Sequence, residues 1–137
     1  MTALSSNYED QMKDGKVQEY PVLGLAHIYK GGMCVDKGTG YASAGSDAGS
    51  YTFLGVAAEE SDNSGSSTDG AKVVRINKTG SYVFNKASAT QSDIGVAMYI
   101  EDDCTVAASS TNSILAGYVV DVPSSSTVRI RIDNAVK

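Results

Sequence analysis

Apolar residues recur along this chain with the period of strands and almost nowhere with the period of helices. The clearest case comes last. Val128, Ile130 and Ile132 alternate with Thr127, Arg129, Arg131 and Asp133, so one face meets a core and the other meets water or a partner. Residues 18–29 are apolar on both parities: Leu23, Leu25, His27 and Tyr29 interleave with Val22, Gly24, Ala26 and Ile28. That pattern predicts a strand covered on both faces. Pro21 lacks an N–H and restricts it to a sheet edge or a strand start. Further strands are predicted at 33–35, 51–58, 71–77, 81–84, 96–100, 105–107 and 114–122, the last of them buried.

Turn signals separate these runs. Lys30-Gly31-Gly32 is one, and Asp36 to Tyr41 reads as a hairpin tip. Residues 43–50 are small and flexible in character. Residues 59–70 are mostly Ser, Asp, Asn, Gly and Thr, a solvated loop expected to carry no core. Lys78-Thr79-Gly80 has the spacing of a hairpin turn between two strands. Thr90-Gln91-Ser92-Asp93 fits a capping box with Asp in place of Glu, and Gly95 suits a left-handed position after it, which predicts one helical turn. Glu101-Asp102-Asp103 is an acidic turn. Gly55-Val56-Ala57, Gly95-Val96-Ala97 and Gly117-Tyr118-Val119 form a faint echo, too short to define a repeat, that marks sharp backbone bends.

About nine short strands at regular spacing predict an all-β fold, a small β-barrel or sandwich. Before them, residues 1–16 are polar and mixed in charge. Leu4, Tyr8 and Met12 are spaced by four but Gly15 follows at once, so 1–16 reads as a flexible N-terminal arm and 17–137 as a single β domain.

Composition narrows the partners. A 137-residue chain suits one domain that needs no disulfide or metal staple. Eleven basic residues against 16 acidic ones give a net charge of -5, and Arg75, Arg129 and Arg131 are the only arginines. Nucleic acid is therefore not an expected partner. The absence of a run of about 18 apolar residues argues against a helical membrane span. The first residues lack the charged start and apolar stretch of a signal peptide, so folding in a cytoplasm is expected. Cys34 and Cys104 are read as two reduced, partly buried thiols, with a bridge between them left open.

The search for reaction chemistry returns little. His27 is the one histidine and lies in an apolar run, which favours a structural role over a triad. One His and two distant Cys do not make a zinc set. The oxygen-rich stretch from Asp62 to Asp69 lacks the ligand spacing of a calcium loop. Glu59-Glu60 and Asp102-Asp103 are neighbours that would point to opposite faces of a strand. Gly38-Thr39-Gly40 has no following helix to make a phosphate loop, and Asn77-Lys78-Thr79 is a sequon of no consequence without secretion. Tyr20, Tyr51, Tyr82, Tyr99 and Tyr118 fall in or beside predicted strands, where core or subunit-interface use is expected. A non-enzymatic protein without cofactor or metal follows as the expectation.

From about Ile28 to Asp133 the order of segments resembles a family of small tailed-phage head proteins, the capsid decoration (cement, head-stabilising) proteins. The residues that carry the resemblance are Phe53-Leu54-Gly55-Val56-Ala57-Ala58-Glu59, Asp62-Asn63-Ser64 and Val73-Val74-Arg75. They continue with Ser92-Asp93-Ile94-Gly95, Tyr99-Ile100-Glu101-Asp102-Asp103 and Val128-Arg129-Ile130-Arg131-Ile132. The resemblance implies a virion protein on the outer capsid surface, assembled in the host cytoplasm. It implies a homotrimer that binds the major capsid protein and stabilises the head against internal pressure. The first 20 residues fall outside the resemblance. The arm and the strand after it are the expected capsid contact, through Leu4, Tyr8, Met12 and Tyr20, by strand addition to a capsid sheet edge. Two other readings stand beside this one: a β-type carbohydrate or host-surface binding module, and an enzyme whose sites lie between subunits of a trimeric barrel.

Overall fold

A computed structural model describes residues 3, 5–7 and 13–137. Among them the chain forms twelve short strands, one 3-10 turn and no α-helix. The all-β expectation holds, and the sheets have a half-barrel curl. The strands are β1 (Val17–Pro21), β2 (His27–Ile28), β3 (Met33–Asp36), β4 (Ala42–Ala44), β5 (Thr52–Ala57), β6 (Ser61–Asp62) and β7 (Val73–Asn77). They continue as β8 (Ser81–Asn85), β9 (Ala97–Ile100), β10 (Val106–Ala107), β11 (Leu115–Ser124) and β12 (Thr127–Arg131).

Two antiparallel five-stranded sheets dominate, ordered β1-β7-β5-β3-β4 and β10-β9-β11-β12-β8, with β2 and β6 paired separately. A core cluster takes Met33, Val35, Phe53 and Val56 from the first sheet and Phe84, Met98, Ile100, Val106, Ala116, Val119, Val128 and Ile130 from the second. Each fully buried aliphatic side chain there contributes ~1.5–3 kcal/mol of transfer free energy. A second cluster lies on the other face of the first sheet: Val22, Ile28, Cys34, Ala42, Leu54, Ala57, Val74 and Ile76. The first sheet thus carries core on both faces and the second on one.

Several sequence expectations need correction. Residues 18–29 are not one strand. β1 stops at Pro21, at the sheet edge that proline allows; Val22 then bridges Ala42 of β4, and the chain turns away from the sheet, with Leu25 at φ 68. Its apolar residues cover the first sheet's second face instead of extending it. Residues 59–70 do carry core, because Ser61 and Asn63 are buried and β6 forms there. Of residues 43–50, Ser43 and Ala44 belong to β4. Lys78-Thr79-Gly80 is a crossover, not a hairpin, since β7 pairs with β1 and β5 while β8 pairs with β12. Residues 114–122 are not buried throughout, for Tyr118 and Val120 are exposed. Four turn predictions hold. Gly32 N–H donates to Tyr29 O at 3.1 Å and closes the turn at Lys30-Gly31-Gly32. Asp36 Oδ1 accepts the N–H groups of Gly38, Thr39 and Gly40 in the β3–β4 hairpin. Glu101-Asp102-Asp103 lies in the β9–β10 connection. The capping box at Thr90 and Asp93 opens the 3-10 turn Gln91–Asp93.

The two sheets are built alike. Reading from an edge, the first runs β1-β7-β5-β3-β4 and the second β8-β12-β11-β9-β10, so the chain visits equivalent places in the same order. The register agrees residue by residue. Cys34 faces Gly55 and Val35 faces Phe53; Met98 faces Gly117 and Tyr99 faces Leu115. Val56 and Ala57 face Asn77 and Ile76; Tyr118 and Val119 face Arg131 and Ile130. Even the turns correspond: Gly31 (φ 84) and Gly95 (φ 81) donate to Ala57 O at 2.9 Å and Val119 O at 2.8 Å. Two members of the echo, at Gly55 and Gly117, are therefore equivalent positions of an internal repeat of structure, whereas the third, Gly95, is equivalent to Gly31.

Each half has a bulge at its central glycine. Gly55 (φ 134) lies so close to β7 that a Cβ would meet Asn77 O at 2.2 Å and Ile76 Cγ2 at 2.9 Å. Gly117 (φ 147) lies against β12, with Arg131 O at 2.1 Å and Ile130 Cγ2 at 2.7 Å from the same notional atom. The obstruction is backbone, which cannot rotate away. Gly55→Ala and Gly117→Ala should each lower stability by about 2 kcal/mol or more. Gly65→Ala, where nothing lies within 4 Å, should stay within about 0.5 kcal/mol. Urea unfolding of the three variants checks this; equal midpoints would refute it.

Candidate functional site

The chain between β1 and β3 makes the most irregular part of the surface. Gly24 presses on the backbone of Ser67, where a Cβ would sit 2.4 Å from Ser67 O, and its N–H donates to Asp69 Oδ1 at 2.8 Å. Leu25 N–H donates to Ser66 O at 2.8 Å. Asn63, 1% exposed, ties the crossing together by donating from Nδ2 to the carbonyls of Val22, Leu23 and Thr68. A polar loop can be buried here because its amide satisfies three backbone acceptors at once.

His27 sits above this crossing. Its Nε2 is 2.8 Å from Glu60 Oε1, its Nδ1 is 3.7 Å from Asp62 Oδ1, and its ring stacks on Tyr29 at 4.1 Å. The imidazole links β2 to the acidic start of β6. Beside it lies a shallow cavity of about 400 Å³ lined by Leu23, Ala26, His27, Lys37 and Ser43 among others. Leu25 and Tyr29 are exposed on this knob.

Of the residues expected to contact a capsid, Leu4, Tyr8 and Met12 lie outside the described residues. Tyr20 is half-buried in β1 and packs against the second core cluster. Its hydroxyl accepts from Lys78 Nζ at 2.7 Å, and the ammonium also lies 4.8 Å from its ring centroid. The same Nζ donates to Leu54 O at 2.5 Å and Lys137 O at 2.8 Å. The adjacent acids Glu59 and Glu60 turn to different partners, Arg75 and His27. Asp102, Asp103 and Cys104 bring ligand atoms within 4.8 Å of one another, at the surface.

Two sheet faces are incompletely covered. On the second sheet, the face opposite the core exposes Val83, Tyr118 and Val120, with Ile94 and Val96 beside them. Arg129 and Arg131 alternate with buried Val128 and Ile130, so both belong to this face. Arg129 Nη1 reaches Ser81 O at 3.3 Å and Arg131 Nε pairs with Asp133 at 2.7 Å. On the first sheet, Val73 and Arg75 share a side with core residue Val56, but the second sheet stops short of them. Val17 and Glu19 on β1 are exposed beside Asn77 and Arg75. The alternation in residues 127–133 marked the outward side of β12, but nothing in the sequence marked that of β11. Val120 in particular sits in an apolar run whose neighbours Val119 and Val122 face the core.

Electrostatics fix several loops. Asp47 accepts from Thr111 N–H, Asn112 N–H and Asn112 Nδ2 at 2.9–3.0 Å, and the Asn112 amide holds its carboxyl below the usual range. The Ser64 hydroxyl does the same for Asp62, and the Arg131 guanidinium for Asp133. Cys34 and Cys104 are both free thiols. Burial pushes the Cys34 thiol up to about 12, whereas Cys104 is exposed.

No protein-family model and no curated protein sequence matches this chain. A solved structure does: the head fiber gp8.5 N base of bacteriophage phi29, with a TM-score of 0.51 and 14% identity. The match covers 88% of this chain and 98% of that one. At that identity the likeness is one of fold, and it extends over nearly the whole of both chains.

Two measurements follow. At pH 8 a thiol reagent should label one cysteine per folded chain, Cys104, and both after denaturation; two fast thiols in the native protein would contradict the burial of Cys34. For Asp47, Asp62 and Asp133 the folded-state pKa is depressed, so their stabilisation is present above the unfolded value near 3.8 and is lost as pH falls through the folded one. Urea midpoints should therefore drop below about pH 4. Asp47→Asn should lower the midpoint at pH 7 and flatten that drop; a parallel curve would show that Asp47 is not a contributor.

Proposed function

We propose that this chain is a non-enzymatic structural protein of a tailed-phage head, a decoration protein that binds the outer surface of the assembled shell. The observation that carries the reading is the likeness of fold to the phi29 head fiber base, which spans 98% of that chain. The series of segments from Phe53 to Ile132 that resembles capsid decoration proteins supports it independently. So does the presence of two partly uncovered sheet faces with exposed apolar residues, which suits a protein that works by contact.

In this reading the protein is a homotrimer and its partner is the major capsid protein. Stabilisation follows from mass action. A protein that binds only the assembled shell favours that state by RT ln(1 + [L]/Kd) per site, about 2.7 kcal/mol at a hundredfold excess over Kd. Summed over many sites, such increments oppose the pressure of packaged genome without any catalysis. The acidic net charge of -5 suits a protein that stays outside a nucleic-acid-filled shell.

A competing role as a glycan-binding module calls for tyrosines gathered on one platform. Among the described residues the exposed ones are Tyr29, ahead of β3 at the first sheet, and Tyr118 on the second. The deciding experiment mixes purified protein with expanded shells that lack it and follows co-sedimentation and the temperature of shell rupture. Saturable binding with a higher rupture temperature is expected. Absence of binding at high excess would overturn the proposal.

A further inference from the structure

Three irregular features meet at the knob formed by the chain between β1 and β3: a strained residue, a cavity and an open sheet edge. Leu25 has φ 68, and among the described residues the other non-glycine residues at positive φ are two serines. A leucine in that conformation is strained, and such strain persists only where surrounding contacts enforce it. Here Leu25 N–H donates to Ser66 O, Asn63 Nδ2 donates to Leu23 O, and Gly24 presses on the backbone of Ser67. The leucine held in this way is not core. Leu25 and Tyr29 are 66% and 56% exposed, the highest values among the large apolar side chains exposed in the described residues. Leu25 lines the cavity of about 400 Å³ together with Leu23 and Ala26, and Tyr29 stacks on His27, which lines it too.

Across the cavity lies the open edge. β4 is the outer strand of the first sheet, and Val22 bridges it in parallel at Ala42, with Leu23 N–H donating to Ala42 O at 2.9 Å. One step further, a parallel ladder would join Ala44 N–H to Leu23 O and Leu25 N–H to Ala44 O. Neither bond forms. Leu23 O accepts from Ala26 N–H and Asn63 Nδ2, and Leu25 N–H goes to Ser66 O. On the other side of β4, Gly45 N–H donates to Met33 O, so the alternation of the β3–β4 ladder turns both main-chain groups of Ala44 outward. Among the described residues they have no hydrogen-bond partner. Ala44 is half-buried and lines the cavity. Sheet edges are ordinarily guarded by charge or proline, as β1 is by Glu19 and Pro21. β4 is Ala-Ser-Ala and has neither.

We propose that the cleft between β4 and residues 23–27 binds an extended segment of the shell protein, which pairs with Ala44 as an added strand and lays an apolar side chain against Leu23, Leu25 and Ala26. The occupant follows from what the cleft leaves unpaired. One N–H and one C=O of the same residue, directed as in a ladder, are answered together by one residue of an extended chain. An anion would answer the donor and repel the acceptor. The apolar wall beside them takes alternate side chains of such a strand. Charge pairing does not enter, since the nearby Glu60 is already held by His27. The site is also preformed. Asn63 and Gly24 fix one wall and the β3–β4 hairpin the other, so binding orders little of this chain. That the segment belongs to the shell rests on the function proposed above; the open edge and the strained leucine do not.

Two substitutions in the full chain separate binding from folding. Ala44→Pro removes the outward N–H and sets a ring in the cleft, at an edge position where that N–H makes no ladder bond and proline is tolerated. Leu25→Gly removes the exposed side chain and relieves the positive φ. The thermal midpoint should stay level in the first variant and stay level or rise in the second. Co-sedimentation with expanded shells that lack the protein should show binding weakened roughly tenfold or more in each. With p-benzoylphenylalanine in place of Tyr29, irradiation of the protein on shells should cross-link it to one segment of the shell protein. If either variant folds and binds shells as tightly as the unaltered protein, this inference falls and the decoration role stands. A cross-link to residues 1–12 of this chain in place of the shell has the same meaning. If the unaltered protein ignores shells at high excess, the decoration role falls and the shell segment falls with it.

Discussion

The close approach of a backbone to a glycine, made twice, is the constraint on which this architecture depends. At Gly55 and at Gly117 the neighbouring strand's carbonyl occupies the space that any side chain would need. The bulge at each glycine shifts the alternation of its strand. Phe53 and Val56 thereby come to share one face, and Leu54 and Ala57 the other. Without that shift, three-residue spacing would place Phe53 and Val56 on opposite sides of the sheet. The packing of the first sheet on both its faces follows from this local irregularity.

The repeat is one of path and register, with the coverage of the two halves made different by sequence. In the first half, the segment after β1 is apolar and folds back over the sheet, locked by Asn63 and the close contact at Gly24. The equivalent face of the second half, with Met98, Ala116, Val119, Val128 and Ile130, is covered by the first sheet itself. One half therefore acts as a cap with its own small core, and the other as a layer with a free side. Tandem units commonly divide labour in this way, since a stack needs an end that is closed to solvent.

The all-β class and most strand positions were legible because alternation is a local signal. The segment around Val128 and Ile130 shows it without ambiguity, and both residues are fully buried. Pro21 also marked an edge correctly. What escaped was non-local. The apolar run at 22–28 reads the same whether it lies within a sheet or across one, and only the partner, the face of Cys34 and Ile76, decides. Burial of Asn63 depends on three carbonyls, two of them from the distant residues Val22 and Leu23, which composition does not reveal. Lys78-Thr79-Gly80 has the length of a hairpin turn, but strand pairing beyond it sends the chain to another sheet. Of the arm and β1 residues expected to touch a capsid, Tyr20 alone can be placed, and its hydroxyl is held by Lys78. The repeat showed in the sequence only as its glycines, because bulges constrain identity where ordinary strand positions do not.

The strand order also sets a timetable for synthesis. β1 lies at a sheet edge and its one ladder partner is β7, which begins at Val73. At ~5–20 residues per second on the ribosome, β1 waits on the order of several seconds for that partner. Its mirror in the second half, β8, waits in the same way for β12. A waiting strand is an open edge to any other nascent chain. Glu19 and Pro21 sit within β1, and a charge and a missing N–H are what discourage a stray pairing there. Those two residues guard the strand in the interval before its own partner has been made.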